Sequence, residues 1–206
     1  MENQKGKLFI ISGPSGSGKG ALCKIVLEKG VAELSISATT RSPRPGEVDG
    51  VNYFFLTKEE FLSRIEKESF LEYARYNGNY YGTPKDYVVS ALENGKNIIL
   101  EIDVQGALRV KEMMPEAVLI MISAPDYKTL TARLAGRGDT SRDDMNNRLD
   151  TARWELEQLH DYNYIVVNPT GELEKAAQTV CEIINGVEHE ECKTENHRDF
   201  STKFYS

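Results

Sequence analysis

A glycine-rich segment with a single lysine follows the apolar run of residues 8–11, close to the start of the chain. Its spacing is Gly13-x-x-x-x-Gly18-Lys19. Glycines let successive backbone N–H groups turn toward one anion, and a lysine adds a mobile positive charge. The apolar run predicts a strand, and a helix beginning near Lys19 adds the positive end of its dipole. The pattern predicts a nucleoside triphosphate site made of Gly13, Pro14, Ser15, Gly16, Ser17, Gly18, Lys19, Gly20 and Ala21.

One position departs from the usual phosphate-binding loop. The residue after the lysine is commonly Ser or Thr, whose hydroxyl joins the Mg²⁺ shell, whereas this chain has Gly20 and then Ala21. The loop therefore offers no direct metal ligand. We expect Mg²⁺, as Mg-ATP, to be held by water, the nucleotide phosphates and an acid elsewhere.

Two further segments carry charged residues in settings that suit phosphate chemistry. Arg41 and Arg44 lie three residues apart among prolines, which predicts a loop that presents both guanidinium groups; a solvated loop is the alternative. The apolar run of residues 97–102 ends at Asp103. An acid at the carboxyl end of such a strand faces metal or substrate in phosphate-loop proteins, but Asp103 could equally cap the following helix.

Composition limits the partners. The chain has 206 residues, a mass of 23.2 kDa, a formal charge of -7 and a pI near 5.2. An acidic protein of this size suits one core domain and is a poor binder of nucleic-acid polymers or anionic membranes. Three widely spaced cysteines favour reduced thiols, and neither a signal-peptide core nor an apolar run of membrane-spanning length occurs. These features predict a cytoplasmic protein, and they leave its oligomeric state open.

The element pattern predicts an α/β protein. Strands and helices alternate in residues 1–38 and 84–186, which we interpret as the core, whereas residues 39–83 read as a small α+β insertion with a hairpin at Asn77-Gly78. Residues 133–150 are rich in arginine and could form a mobile helical segment or a solvated helical face. Residues 187–206 are mostly polar and predict a mobile tail.

The order of these motifs resembles that of guanylate kinases from about Lys7 to Ile184. The most specific segments are Ala38-Thr39-Thr40-Arg41-x-x-Arg44-x-Gly46-Glu47 and Gly78-Asn79-Tyr80-Tyr81-Gly82, accompanied by residues 101–106 and 136–138. The resemblance implies a phosphate-loop three-layer core with a parallel sheet, a GMP-binding insertion and a helical lid. The implied reaction is ATP plus GMP giving ADP plus GDP.

The resemblance also implies roles for individual residues. The implied catalytic residues are Lys19, Arg41, Arg137 and Arg148, and Arg133 and Asn168 join the ATP site. The implied GMP-binding residues are Ser37, Arg41, Arg44, Glu47, Tyr53, Glu72, Tyr81, Thr83 and Asp103. Guanine presents two adjacent N–H donors that a carboxylate such as Glu72 can accept, which adenine lacks, and Thr83 can donate to guanine O6.

Two other functions remain open at this point. A guanylate-kinase-like module without catalysis could keep the arginine and tyrosine pocket, and Gly20 with Ala21 favours this reading. An unrelated phosphate-loop ATPase would not account for the residues around guanine.

Overall fold

A computed structural model describes residues 5–136, 142–194 and 200–205. Its main sheet has five parallel strands in the order β2-β7-β1-β8-β9. Apolar runs such as Leu-Phe-Ile-Ile in β1 are buried on both faces, as expected for a parallel sheet covered by helices. The strands are β1 (Leu8–Ser12), β2 (Glu33–Leu34), β7 (Ile98–Glu101), β8 (Val118–Ser123) and β9 (Tyr164–Val167).

Helices cover both faces of this sheet. One face packs against α3 and α4, and the other packs against α1 and α7. The resulting three layers confirm the predicted α/β core. These helices are α1 (Lys19–Glu28), α3 (Lys85–Glu93), α4 (Val104–Met113) and α7 (Leu173–Ile184).

A second sheet belongs to the middle of the sequence. It has four strands in the order β4-β3-β6-β5, and β5 and β6 form the hairpin predicted at Asn77-Gly78, both of which have positive φ. Helix α2 (Lys58–Glu66) begins with a capping box between Thr57 and Glu60, and Phe61 stacks on Phe70 in a small core. The strands are β3 (Ala38–Thr39), β4 (Phe54–Phe55), β5 (Phe70–Tyr76) and β6 (Asn79–Pro84).

Two helices near the phosphate loop complete the functional face. Helix α5 (Tyr127–Ala135) ends before the undescribed residues 137–141, and α6 (Arg142–Glu157) follows them. The far end of α6 is fixed to the core, because Tyr162 is 3% exposed and shares a hydrogen bond with Ser12 at the end of β1.

The C-terminal segment, predicted to be a mobile tail, contacts the core through some of its described residues. The backbone of Lys193 forms an antiparallel β-bridge with that of Tyr164 in β9. The short helix α8 (Phe200–Tyr205) buries Phe204 against α5 and α6. The polar sequence hid these contacts because only a few apolar residues make them. Within the described part of the chain, no helix combines the length and apolarity that crossing a membrane requires.

Candidate active site

The phosphate loop connects β1 to α1 with the backbone that its glycines predict. Gly13 has φ of 144°, and a Cβ there would lie 2.1 Å from the Ile122 carbonyl oxygen. Gly18 caps α1 with φ of 88°, and a Cβ there would lie 2.4 Å from Nδ2 of Asn168. Both positions therefore require glycine. The loop presents backbone N–H groups and the first turn of α1, which begins at Lys19.

Beside the loop, polar side chains gather at the end of β9. Asn168 is 4% exposed and donates from Nδ2 to the Ser17 carbonyl oxygen at 2.8 Å. Arg133 of α5 donates from Nη2 to the Asn168 carbonyl oxygen at 2.9 Å. Among the residues that the structure describes, three buried atoms here have no hydrogen-bond partner, namely Ser17 Oγ, Asn168 Oδ1 and Arg133 Nη1. Buried polar groups are normally satisfied, so this cluster points to a polar ligand beside the loop.

Glu101 supplies an acid next to the loop position that lacks a hydroxyl. It is the last residue of β7, and a Cβ at Gly20 would lie 3.3 Å from its Oε1. Burial, and to a smaller extent the charge of Glu101, raise the pKa of the Cys23 thiol. Of the two roles that the sequence left open for Asp103, the structure shows the helix cap, in which Asp103 accepts from the Gly106 N–H at 2.7 Å at the start of α4. The strand-end acid at the loop is therefore Glu101.

The two arginines of the insertion are organised by one acid. Arg41 Nη2 donates to both oxygens of Glu47, at 2.9 and 3.0 Å, and the Arg44 backbone N–H donates to Glu47 Oε2 at 2.7 Å. The Arg41 guanidinium lies 5.5 Å from the Tyr53 ring centroid, and Tyr53 meets Tyr81 edge to face. The hydrogen bond from Arg41 holds the pKa of Glu47 below its usual value. Because both oxygens of Glu47 accept hydrogen bonds from Arg41 and Arg44, Glu47 orients these two residues.

A second acidic group lies between the insertion and α4. Thr83 Oγ1 donates to Glu72 Oε1 at 2.8 Å, and burial raises the pKa of Glu72. A Cβ at Gly106 would lie 3.4 Å from Glu72 Oε2 and 3.3 Å from Asp103 Oδ1, so both carboxylates face this glycine. Because the Thr83 hydroxyl already donates to Glu72, the predicted donation to guanine O6 would require this hydroxyl to rotate.

Glu101 also connects the two halves of the site. A cavity of about 310 Å³ is lined by Glu101 together with Ser37, Tyr53 and Thr83 of the insertion side. Since Glu101 also lies beside Gly20, one carboxylate adjoins both the phosphate loop and this cavity. Glu101, the phosphate loop and the insertion residues belong to separate motifs of the sequence, and the fold brings them together.

The arginines of the predicted lid lie on different elements, and one of them is outside the described residues. Arg133 lies on α5, and Arg148 is half-buried on α6. Arg137 lies outside the described residues, and α5 ends at Ala135.

Sequence reasoning missed two acids, Glu101 and Glu155. Glu101 was hidden because the apolar run of β7 was read as ending at Asp103, two residues later. Glu155 is 7% exposed on α6, between the buried residues Ala152 and Leu159. An acid at a core-facing helical position was the available signal for it.

Comparisons with known proteins agree with this geometry. The family model described as guanylate kinase matches residues 5–187. A guanylate kinase of Halalkalibacterium halodurans is 46% identical over 196 residues, covering 95% of this chain and 94% of that protein. One from Clostridium perfringens is 52% identical over 168 residues, covering 81% and 78%. The crystal structure of guanylate kinase from Anaplasma phagocytophilum superimposes with a TM-score of 0.67 at 29% identity, covering 92% and 90%.

Proposed function

Because this chain belongs to the guanylate kinase family, we propose that it transfers the γ-phosphoryl group of ATP to GMP, giving ADP and GDP. The observation that carries the proposal is the position of Glu101, which adjoins Gly20 of the phosphate loop and also lines a cavity with Ser37, Tyr53 and Thr83 of the insertion side. Phosphoryl transfer requires the acceptor oxygen in line with the γ-phosphate and positive charge around the transferred group.

On the donor side, the loop amides and the N-terminus of α1 bind the ATP phosphates, and the Lys19 ammonium follows the transferred group. The unpartnered atoms of Ser17, Asn168 and Arg133 offer hydrogen bonds to the rest of the donor nucleotide. Arg148 and Arg137 add charge when residues 133–150 close over the cleft, which excludes water from the reaction.

On the acceptor side, Arg41, Arg44, Tyr53 and Tyr81 bind the GMP phosphate. Glu47 keeps the Arg41 fork fixed before GMP arrives, so less side-chain entropy is lost on binding.

The acidic group at the other end of this pocket selects the base. The Glu72 carboxylate accepts from guanine N1–H and N2–H₂, while Ser37, Thr83 and Asp103 complete the edge of the pocket. Adenine would leave this buried carboxylate unmatched, which is a strong basis for selectivity. Residues 39–83 are therefore the GMP-binding insertion of this proposal.

The residues present fit Mg²⁺ despite the missing hydroxyl. Glu101 places a carboxylate oxygen beside Gly20, and Mg²⁺ prefers oxygen ligands and commonly keeps several waters. Glu101 would hold the ion, directly or through water. The chemistry that Mg²⁺ bound with ATP would supply is to offset the negative charge of the phosphates during transfer.

A nucleotide panel tests the proposal. Purified protein with Mg-ATP should form ADP rapidly with GMP and far more slowly with AMP, CMP or UMP, in an assay that couples ADP formation to an optical signal. The Lys19→Ala variant serves as the control for contaminating kinases. GMP binding without ADP formation would instead support the catalytically inactive module, and ATP hydrolysis independent of GMP would support an unrelated ATPase.

A further inference from the structure

Three side chains that commonly bind metal ions meet near the end of the chain, and none of the roles above uses them. They are His189, Glu191 and Cys192, and one ligand atom from each lies within 4.8 Å of the other two. His189 Nδ1 and Glu191 Oε1 are 2.8 Å apart. Metal bonds of about 2.0–2.3 Å in tetrahedral geometry separate neighbouring ligand atoms by about 3–4 Å, so small side-chain rotations would let these three atoms share one ion.

The backbone holds the three residues in a fixed turn. A short 3₁₀ helix covers Glu190–Cys192, and the Cys192 N–H donates to the His189 carbonyl oxygen at 2.9 Å. Lys193 then forms its β-bridge with Tyr164, and the partly buried Cys192 packs against the core cluster that includes residues of α1 and α7. The ligand atoms are therefore presented by a folded segment that is attached to the core.

Glu182 of α7 orients the histidine. His189 Nε2 lies 3.0 Å from Glu182 Oε2, and the His189 side chain is 15% exposed. A metal-binding histidine usually donates its second ring N–H to a carboxylate, which fixes the orientation of the ring and the nitrogen that ligates. Because Glu182 engages Nε2, Nδ1 is the ring nitrogen that faces Glu191.

An ion pair alone would account for only part of this cluster. A charged histidine between Glu182 and Glu191 explains both ring contacts without a metal. It does not explain Cys192, because a thiol is a weak hydrogen-bonding group and adds little to such a pair. Once deprotonated, the same sulfur is a strong metal ligand. The combination of nitrogen, oxygen and sulfur is thus the feature that favours a metal ion.

We propose that His189, Glu191 and Cys192 bind one Zn²⁺, with water in the fourth position, and that the ion fastens residues 187–194 to α7 through the contact between His189 and Glu182. Thiolate and imidazole ligands suit Zn²⁺, whereas Mg²⁺ takes oxygen ligands, so the two ions occupy different sites. Binding releases the thiol proton and the Nδ1 proton to solvent. The Glu191 side chain is 72% exposed, which leaves the ion a path from solvent.

The zinc site lies at the opposite end of the main sheet from the phosphate loop. Lys193 pairs with Tyr164, the first residue of β9, whereas the loop follows Ser12, the last residue of β1. Both strands run parallel to β8 between them. The ion is therefore distinct from the metal of phosphoryl transfer, and it can be measured without any nucleotide.

Cobalt reports the identity of the ligands directly. The full chain, kept reduced with a phosphine and in excess Mg²⁺, is titrated with Co²⁺ and then with Zn²⁺. We expect one Co²⁺ per chain and a sulfur-to-cobalt charge-transfer band in the near ultraviolet that Zn²⁺ abolishes. Cys192→Ser should lack this band. A wild-type protein without the band would overturn the proposal, and so would a band that persists in Cys192→Ser, because it would place the ion on Cys23 or Cys181.

Calorimetric titration with Zn²⁺ tests the other ligands. Glu182→Gln should weaken binding by about 10–100-fold, as expected for the partner of a ligating histidine, and His189→Gln and Cys192→Ser should weaken it at least as much. The matched controls are Glu188→Gln, an exposed acid of the same segment, and His160→Gln, an exposed histidine after α6; both should bind as wild type. Equal affinities in wild type and His189→Gln, or a loss in either control as large as in Glu182→Gln, would overturn the assignment.

Thermal melts test whether the fold builds the site. Free Zn²⁺ at about ten times its Kd should raise the melting temperature of wild type by about 3–5 °C and leave that of Cys192→Ser unchanged. Binding without such a rise would mean that the unfolded chain binds Zn²⁺ equally well, which would overturn a site that fastens residues 187–194. None of these measurements uses GMP or ATP, so failure of the phosphotransferase assay would count against the proposed function alone.

Discussion

Replacing Glu72 by Gln should remove the selectivity for guanine. In the structure, Thr83 Oγ1 occupies one side of Glu72 Oε1 at 2.8 Å, which leaves Oε2 and the other side of Oε1 for the two guanine donors. A glutamine keeps one acceptor and places an NH₂ group opposite a guanine N–H. A hydrogen bond to a charged group contributes about 1.5–3 kcal/mol, and an unsatisfied buried donor costs a similar amount. We therefore expect a loss of about 3 kcal/mol in transition-state binding, or roughly 100-fold in kcat/KM for GMP.

The assay is the steady-state coupled measurement of ADP formation with GMP and with AMP. Glu66→Gln, at the exposed end of α2, provides a charge-matched control in the same insertion. AMP turnover should change little in Glu72→Gln, because adenine does not use the carboxylate. A kcat/KM for GMP within threefold of wild type, in a variant with an unchanged melting temperature, would refute the assignment of guanine recognition to Glu72.

Acidic pH should weaken the same interaction in the wild-type protein. Burial raises the pKa of Glu72 above its ordinary value, so the carboxylate gains a proton at a higher pH than a free side chain. A protonated Glu72 presents an O–H to the guanine donors. KM for GMP should therefore rise as the pH falls through this raised pKa, and a KM for GMP independent of pH between 4 and 8 would contradict a charged acceptor.

Three other changes test the donor half of the cleft. Lys19→Ala should lower kcat by at least about 100-fold while the Kd for GMP, measured by calorimetry, stays within a factor of about three; an unchanged kcat would contradict the loop assignment. Gly20→Ser should lower the Mg²⁺ concentration for half-maximal activity and Glu101→Gln should raise it, and identical magnesium titrations would exclude both residues from the metal shell. The pKa of Glu155 is about 7 in the folded protein, whereas its ordinary value is 4.5. Between these two pH values the folded protein binds more protons than the unfolded chain, so the free energy of unfolding falls as the pH rises. Urea unfolding of wild type and Glu155→Gln should therefore diverge by up to about 3 kcal/mol between pH 5 and pH 8, the wild type becoming the weaker.

Local patterns were sufficient to predict much of the fold. The phosphate loop and the Asn77-Gly78 turn each depend on a few adjacent residues, and each has the predicted geometry. Strand boundaries depend on pairing instead, since β2 covers only Glu33–Leu34 although the residues up to Ser37 are also extended in character. Ala38 instead begins the second sheet, because pairing with Gly82 of β6 decides where it belongs.

The parts that sequence reasoning missed depend on long-range contacts. Nothing in the pattern indicates that Glu101 lies beside Gly20, because these residues are 81 positions apart and meet only when β7 pairs with β1. The polar C-terminal segment looked unstructured because Phe204 obtains its burial from α5 and α6. The residue roles taken from the family resemblance stay predictions until the variants are measured.

Helix α6 is held more firmly at its carboxyl end than at its beginning. Tyr162 and Leu159 hold its carboxyl end in the core, whereas near its beginning Met145 and Leu149 are only partly buried against α5 and α8, and Asp144 and Asn147 are exposed. Sixteen residues at ~1.5 Å each give an arm of about 24 Å. A rotation of about 15° about the carboxyl end of α6 would move its first residue by about 6 Å, whereas Glu155, about 3 Å from that end, would move by only about 1 Å. Residues near the carboxyl end of α6 would thus stay in place while the beginning of the helix moves.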